Sequence, residues 1–300
     1  MELKRIKKIL KNPRLLFLTL GHRELFNWID DERYLKIAYW CAMKKKLNLT
    51  NPQTFNEKLQ YLKLHDRNPL YTSLADKYDA KIKVGKIIGE EYIIPTIGVW
   101  DRFDEIEFDK LPNQFVLKCT HDSGGVIICK NKNSLDIDAA KNKINRCLKH
   151  SFFWSQREWP YKNIKPRIIA EPYMEDSDTH DLRDYKYLCF NGEPKIMFIA
   201  TERQSSIDTR FDYFDMEFNH LPFTWVYDNA TVIPEPPKNF QLMKELAAKV
   251  SEKLPHVRVD FYEVNGHVYF GEVTFYHQSG MAPLTPEEWD YKLGKWIDLP

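Results

Sequence analysis

Apolar residues recur at three- and four-residue spacing through Leu25, Phe26, Ile29, Tyr34, Ile37, Ala38 and Cys41. That rhythm is the one by which helices bury a single face, and it predicts a helical region from residue 1 to about 75. Asn51-Pro52-Gln53-Thr54 interrupts it. Thr54 then stands three residues before Glu57, a capping-box spacing for a helix through Leu64. Another helix is expected from about Ser73 to Ile88, stopping at Gly89. Beyond it the apolar runs shorten. Gln114–Cys119 and Val126–Cys129 read as strands flanking the polar loop His121-Asp122-Ser123-Gly124-Gly125, a hairpin. A helix is expected over 136–149, a strand from Arg167-Ile168-Ile169-Ala170, and a hairpin of Tyr185–Phe190 with Lys195–Ala200 around Asn191-Gly192. Residues 240–253 read as a helix. Val257–Tyr262 and His267–Val273 form a hairpin across Asn265-Gly266, a strong turn signal. Pro234-Glu235-Pro236-Pro237 is a stiff local connector, not a domain linker.

Composition narrows the class without changing this picture. The 300 residues carry 43% hydrophobic and 29% charged side chains, those of an ordinary globular protein with ample chain for a core. A net charge of +1 gives no global field for nucleic acid, and none is expected as a partner. Five scattered cysteines, with no C-x-x-C pair, point to free thiols in a reducing cytoplasm, and not to zinc or disulfides. The local exception is the N-terminus. Lys4, Arg5, Lys7, Lys8, Lys11 and Arg14 face only Glu2, and Leu15–Leu20 follows before Gly21. That run is too short to span a bilayer or to serve as a secretory signal. It reads as a basic first helix, with a peripheral lipid contact through residues 1–20 as the alternative, which would put the chain at the inner face of the membrane.

Three groups of residues carry candidate chemistry. On the C-terminal hairpin, Glu272 and Thr274 lie two apart and share a strand face, and Asp260 can join them from the partner strand. Two carboxylates and a neutral oxygen suit Mg²⁺, which takes few protein ligands and fills its shell with phosphate and water. Lys118 ends a strand directly before the Gly-containing loop, whose backbone N–H groups can fold over phosphates. Glu171-Pro172-Tyr173-Met174 links two halves, where a free carbonyl and N–H can meet the edge of an adenine. Each signal alone has an ordinary structural reading: an acid pair on neighbouring strands, a surface lysine, a buried hinge strand.

Taken in order, these elements resemble the ATP-grasp superfamily, from Asp76-Lys77 to about residue 282. Within it the chain is similar to the teichuronopeptide-biosynthesis (TupA-like) branch, tied to bacterial surface polysaccharides. Asn51–Lys58, Asp66-Arg67-Asn68-Pro69, Ala75-Asp76-Lys77-Tyr78, His121–Gly125, Arg157-Glu158-Trp159-Pro160-Tyr161 and Glu287–Lys292 carry that likeness. The resemblance implies an α+β ATP-grasp fold of two lobes gripping ATP, with a helical N-terminal extension. The divisions are 1–75 for the helical region, 76–170 for the lobe with the phosphate loop, and 171–300 for the lobe with the Mg²⁺ site.

It also implies roles. Lys77 and Lys118 match the two phosphate-binding lysines, and His121, Asp122, Ser123, Gly124 and Gly125 match the flexible loop over the triphosphate. Glu171, Tyr173 and Met174 match the adenine hinge. Asp184 and Lys186 match an Asp-x-Arg strand, with lysine replacing arginine. Arg203 matches an arginine that meets the transferring phosphate. Asp260, Glu272 and Thr274 match the Mg²⁺ set, with Arg258 beside them. Thr274 stands where most members have Asn, and the helical start replaces the usual substrate domain, so the acceptor is not inherited from better-known members.

The implied activity is a carboxylate–amine ligase with ATP and Mg²⁺ as cofactors, joining a carboxylate, here a uronic acid of a polysaccharide, to an amine through an acyl phosphate. No Cys-His or Ser-His-Asp arrangement competes with it, while His121 and His277 are candidates for gating or acid–base work. The alternatives are a glycosyltransferase, a non-catalytic module, and an ATP-grasp kinase sharing every nucleotide residue. A metal-dependent glycosyltransferase needs Asp-x-Asp after a strand; Asp136-Ile137-Asp138 instead opens a helix, and Asp176-Ser177-Asp178 lies in a loop.

Overall fold

The computed structural model describes residues 12–122, 124–177, 182–201 and 209–300. The basic stretch 1–11, Ser123 and Arg203 lie outside the described residues.

The described residues open with α1 (Pro13–His22), whose proline sits in the first turn and whose N-cap Asn12 accepts from the Arg14 N–H. The apolar rhythm runs on through Leu25 and Ile29, but the helix stops because Glu24 takes a left-handed φ of 62°. Residues 23–28 form turns, leaving Leu25 57% and Trp28 81% exposed. Next, α2 (Asp31–Met43) starts on Asp30 and ends at left-handed Lys44. Thr54 and Glu57 form the expected capping box at the head of α3 (Phe55–His65). The single helix expected from Ser73 is two, α4 (Pro69–Ala75) and α5 (Lys77–Ile88). Asp76 separates them: its backbone is extended and its carboxylate accepts from the N–H groups of Tyr78 and Asp79.

Four antiparallel strands make the first sheet: β1 (Gly98–Trp100), β2 (Phe115–Cys119), β3 (Val126–Cys129) and β4 (Ile168–Pro172), in the order β1-β4-β2-β3. Phe115, Leu117, Ile168 and Ala170 pack under Ala140 and Ile144 of α6 (Ile137–Leu148). Alternation turns Val116, Lys118, Ile169 and Glu171 to the other face. The short α7 (Phe152–Gln156) follows α6.

The second sheet has the order β10-β9-β5-β6-β7, built from β5 (Asp184–Phe190), β6 (Glu193–Thr201), β7 (Arg210–Phe214), β9 (His256–Val264) and β10 (His267–Thr274). Its hairpins turn at Asn191-Gly192 and Asn265-Gly266, all four with positive φ, as the Asn-Gly signals require. Strand β8 (Thr224–Trp225) pairs with β11 (Leu284–Thr285). Under one face lie α8 (Phe240–Ser251) and α5, with Tyr187, Cys189, Val259 and Phe261 in the core. Helices α3, α4 and α5 share this core, and α9 (Glu288–Lys295) closes it against α3.

A β-bulge decides what the opposite face carries. Phe270 pairs with Phe261, yet Glu272 pairs with Asp260, so the register shifts at Gly271. In a regular strand Glu272 would share the buried face of Val268 and Phe270. The extra residue instead turns Glu272 and Thr274 onto the face of Arg258 and Asp260. A Cβ at Gly271 would lie 3.1 Å from the Asp260 carbonyl and from the Tyr262 ring, so a side chain there would press on both and push them back by a few tenths of an ångström.

Candidate functional site

On the first sheet, the polar face gathers around Glu171. Lys118, on the neighbouring strand, reaches its Oε2 at 2.5 Å, and Lys81 of α5 pairs with its Oε1. Lys81 also donates to the Ile94 carbonyl at 2.8 Å. Burial opposes charge on Glu171, but Lys118 and then Lys81 outweigh it and hold the carboxyl below its ordinary range. Lys81 was no candidate in the sequence. The signal that finds it is its place four residues after Lys77, one turn along the same helix face.

Lys77 ties α5 to the loop. Its N–H bonds to the Thr120 carbonyl at 3.0 Å, and Nζ donates to the Asp122 carbonyl at 2.5 Å. Asp122 Oδ1 accepts from Gly125 N at 3.0 Å, closing the turn, while Gly124 is exposed at its tip. The His121 imidazole is buried, with Nε2 3.1 Å from the Cys147 carbonyl and 3.2 Å from that of His150. Those contacts anchor the loop base to the end of α6 and leave His121 no reach toward a substrate in this arrangement. After β4, Tyr173 and Met174 are half-buried; Tyr173 bonds Glu175, and Lys130 lies over its ring at 5.1 Å.

The second sheet supplies a charged row across three strands. Lys186 stands opposite Asp260, and Asp260 opposite Glu272. Lys186 Nζ lies 2.5 Å from both Asp184 Oδ2 and Asp260 Oδ2. Arg258 forks onto Asp260, Nε to Oδ1 and Nη2 to Oδ2, both at 2.6 Å. Its Nη2 also meets Glu272 Oε1 at 2.6 Å, and Thr274 Oγ1 lies 3.5 Å from that same oxygen. Burial opposes the Glu272 charge, but Arg258, then Lys77, Lys186 and Lys118, hold its carboxyl down at about 2. Burial and then Arg258 push His277 well below its ordinary value. The neutral ring accepts from Arg258 Nη1 at 3.1 Å, so its proton sits on Nε2. His277 is therefore a buried prop for Arg258 and no acid near neutral pH.

These two halves face each other. Lys77 and Glu272 line one small pocket with Ala80, Tyr161 and Gly271. Lys77 and Lys118, from one side, lower the Glu272 carboxyl on the other. Among the described residues no three His, Cys, Asp or Glu side chains form a ready metal cage. The oxygen donors nevertheless fit Mg²⁺ in kind: two carboxylates from paired strands and one hydroxyl, all on one face, with Arg258 now bridging the acids. Of the Asp-x-Asp acids, Asp136 caps α6 and Asp176 accepts from Asn265 N at 2.8 Å, while Asp178 lies outside the described residues.

No curated protein matches the chain. Among solved structures, D-alanine–D-alanine ligase from Bacillus anthracis complexed with ATP is 18% identical, covering 67% of this chain and 55% of that one, with a TM-score of 0.39. The chain thus spans about half the length of that enzyme. D-alanine–D-alanine ligase from Helicobacter pylori is 14% identical over 81% of this chain and 69% of that one, TM-score 0.40. D-cycloserine synthetase DcsG is 16% identical over 82% and 77%, TM-score 0.41. These likenesses are remote, and the assignment rests on the family model described as TupA-like ATPgrasp, which matches residues 57–298. With that match covering most of its length, the chain belongs to the TupA-like ATP-grasp family.

Proposed function

We propose that this chain is an ATP-dependent carboxylate–amine ligase that activates a carboxylate as an acyl phosphate and passes the acyl group to an amine. The observation that carries the reading is that Lys77 shares a pocket with Glu272 and, with Lys118, lowers its carboxyl, while Arg258 ties Glu272 to Asp260. A triphosphate needs fixed cations where it binds, and phosphoryl transfer needs preorganised charge around the moving group.

In this reading Lys77 and Lys118 bind phosphates, and the backbone of His121, Asp122, Ser123, Gly124 and Gly125 folds over them. Glu171 keeps Lys118 aimed at the cleft, and Glu171, Tyr173 and Met174 border the adenine. Asp260, Glu272 and Thr274 would hold Mg²⁺, which when bound neutralises phosphate charge. Lys186, oriented by Asp184, Arg258, oriented by His277, and Arg203 serve the transferring phosphoryl group and the incoming carboxylate.

The carboxylate proposed is a uronic acid of a surface polysaccharide or its precursor, and the acceptor is an amino acid or another amine. Among the described residues no helix is long and apolar enough to cross a membrane. A reversible contact of residues 1–20 with anionic lipid is proposed in addition. Each basic residue near such a surface contributes about 1 kcal/mol, and the exposure of Leu25 and Trp28 nearby favours an interfacial seat.

The reading is tested with Mg-ATP, D-glucuronate and hydroxylamine, following nucleotide products and hydroxamate. ADP, phosphate and a hydroxamate are expected. AMP with pyrophosphate would overturn the acyl-phosphate route, and ADP with a phosphorylated sugar would make the enzyme a kinase.

A further inference from the structure

The His277 imidazole has a single polar tie, the bond its Nδ1 accepts from Arg258 Nη1 at 3.1 Å. Its Nε2 is buried and meets no hydrogen-bond partner among the described residues. Aromatic rings surround it instead, Trp225 nearly perpendicular with ring centres 4.5 Å apart and Phe198 at 5.2 Å. A ring held by one bond and by packing is aimed by its backbone. The turn that begins at His277 therefore decides where the imidazole points.

That turn does not hold itself. Gln278, Ser279 and Gly280 are consecutively left-handed, with φ of 49°, 54° and 58°. Residues with side chains keep that conformation only where their surroundings impose it. Here α3 imposes it. Gln60 Nε2 donates to the Ser279 carbonyl at 3.0 Å and to the Gly280 carbonyl at 2.7 Å. Lys63 Nζ donates to the Ser279 carbonyl and hydroxyl, both at 2.8 Å, and to the Gln156 carbonyl at 3.0 Å, which uses all three of its N–H groups. Both side chains are buried and lie three residues apart on one helix face. The fit is close: a Cβ at Gly280 would lie 2.5 Å from Gln60 Nε2 and 2.7 Å from Leu59 Cβ. Farther along, Asn56 Nδ2 donates to the Ala282 carbonyl at 3.1 Å, and the same oxygen accepts from Trp225 Nε1 at 3.0 Å. The indole beside His277 is thus tied to α3 as well.

We propose that Gln60 and Lys63 are positioning residues for phosphoryl transfer: by fixing the 277–280 turn they aim His277 at Arg258, and so hold Arg258 between Asp260 and Glu272; this rests on the ligase reading above. Arg258 gives Nη1 to His277 and spends Nε and Nη2 on the two carboxylates. Losing the imidazole leaves the guanidinium free to swing about its carboxylate contacts. Helix α3 acts on the chemistry through contacts in series, from turn to imidazole to guanidinium to carboxylates.

The test compares turnover of Mg-ATP with D-glucuronate and hydroxylamine in the wild type, Gln60→Met, His277→Phe and the double variant. Each single change should lower kcat about tenfold, short of the roughly 10²–10³-fold for losing a direct electrostatic partner. The double variant should lie within about twofold of His277→Phe, because the ladder acts through that ring. Fully additive losses, or a wild-type kcat in Gln60→Met, overturn the proposal. Histidine-selective nitrogen NMR gives a second reading. In the wild type, Nδ1 of His277 should be unprotonated and accept a hydrogen bond, and Gln60→Met should lose that signature. A charged ring in the wild type, or an unaltered one in Gln60→Met, contradicts the proposal. Should Gln60→Met fail to fold, Lys63→Met takes its place in the same cycle with the same expectations. A wild type that consumes no ATP would instead sink the ligase reading, and the imidazole signals would still report whether the ladder aims His277.

Discussion

Glu171 answers the buried Lys81 and the half-buried Lys118 with one carboxylate, so its loss strands both. Removing one partner of a buried ion pair costs about 3–5 kcal/mol. Glu171→Gln should therefore lower unfolding stability by that order, in a denaturant titration, and weaken ATP binding by misaiming Lys118. A midpoint equal to wild type would mean the two lysines are satisfied some other way. Asp260→Asn and Glu272→Gln should each cut turnover about 10²–10³-fold, the usual consequence of losing a preorganised electrostatic partner, and circular dichroism should show the fold kept. Activity near wild type in either, at saturating Mg²⁺, removes them from the metal site. At this scale the sequence was legible where spacing is local. Glu272 and Thr274 are two apart, and Lys118 abuts its loop. It was silent on the pairing of Lys81, whose partner lies far along the chain, and on the neutral state of His277, which depends on burial and on Arg258.

Among the elements, the bulge at Gly271 matters most, because it turns Glu272 and Thr274 into the cleft. Gly271→Val should misplace both residues and abolish turnover more completely than it destabilises the fold; a fully active variant would show that the register does not depend on glycine. Capping boxes, Asn-Gly turns and the β2–β3 hairpin were readable, since each is set by neighbours in sequence. The bulge was not, because its only trace is a single three-residue step between the inward Phe270 and Val273 in a short strand. Nor was the break at Asp76, where one carboxylate ends α4 and starts α5 within an unbroken apolar rhythm. Strand β9 carries a second consequence. His256, packed edge-on against Phe55 at 4.9 Å, is driven down to about 3 by burial, below the ordinary 6.5. The unfolded chain takes up a proton below about 6.5 that the folded chain refuses, so stability is lost as pH falls from there toward 3. His256→Phe should flatten the fall of the denaturation midpoint across that window. An unchanged slope would place the acid sensitivity elsewhere.

Across the whole molecule, the first sheet contributes Lys118 with Glu171, α5 contributes Lys77 and Lys81, and the second sheet contributes carboxylates with Arg258 and Lys186, while the N-terminal helices brace the second sheet. The order of motifs along the chain conveyed the two-sided design. It did not convey that α3, from the helical region, would hold the loop after β10 through Asn56, Gln60 and Lys63. That link comes from polar side chains buried at helical spacing, which a hydrophobic pattern cannot register. The central claim is that one ATP molecule spans both sheets. Titration calorimetry of Mg-ATP into the wild type, Lys118→Ala, Glu272→Gln and the double variant tests it most directly. Each single change should weaken binding, and the double should fall short of additivity, because both side chains meet the same phosphates. ATP binding that neither substitution alters would contradict the account.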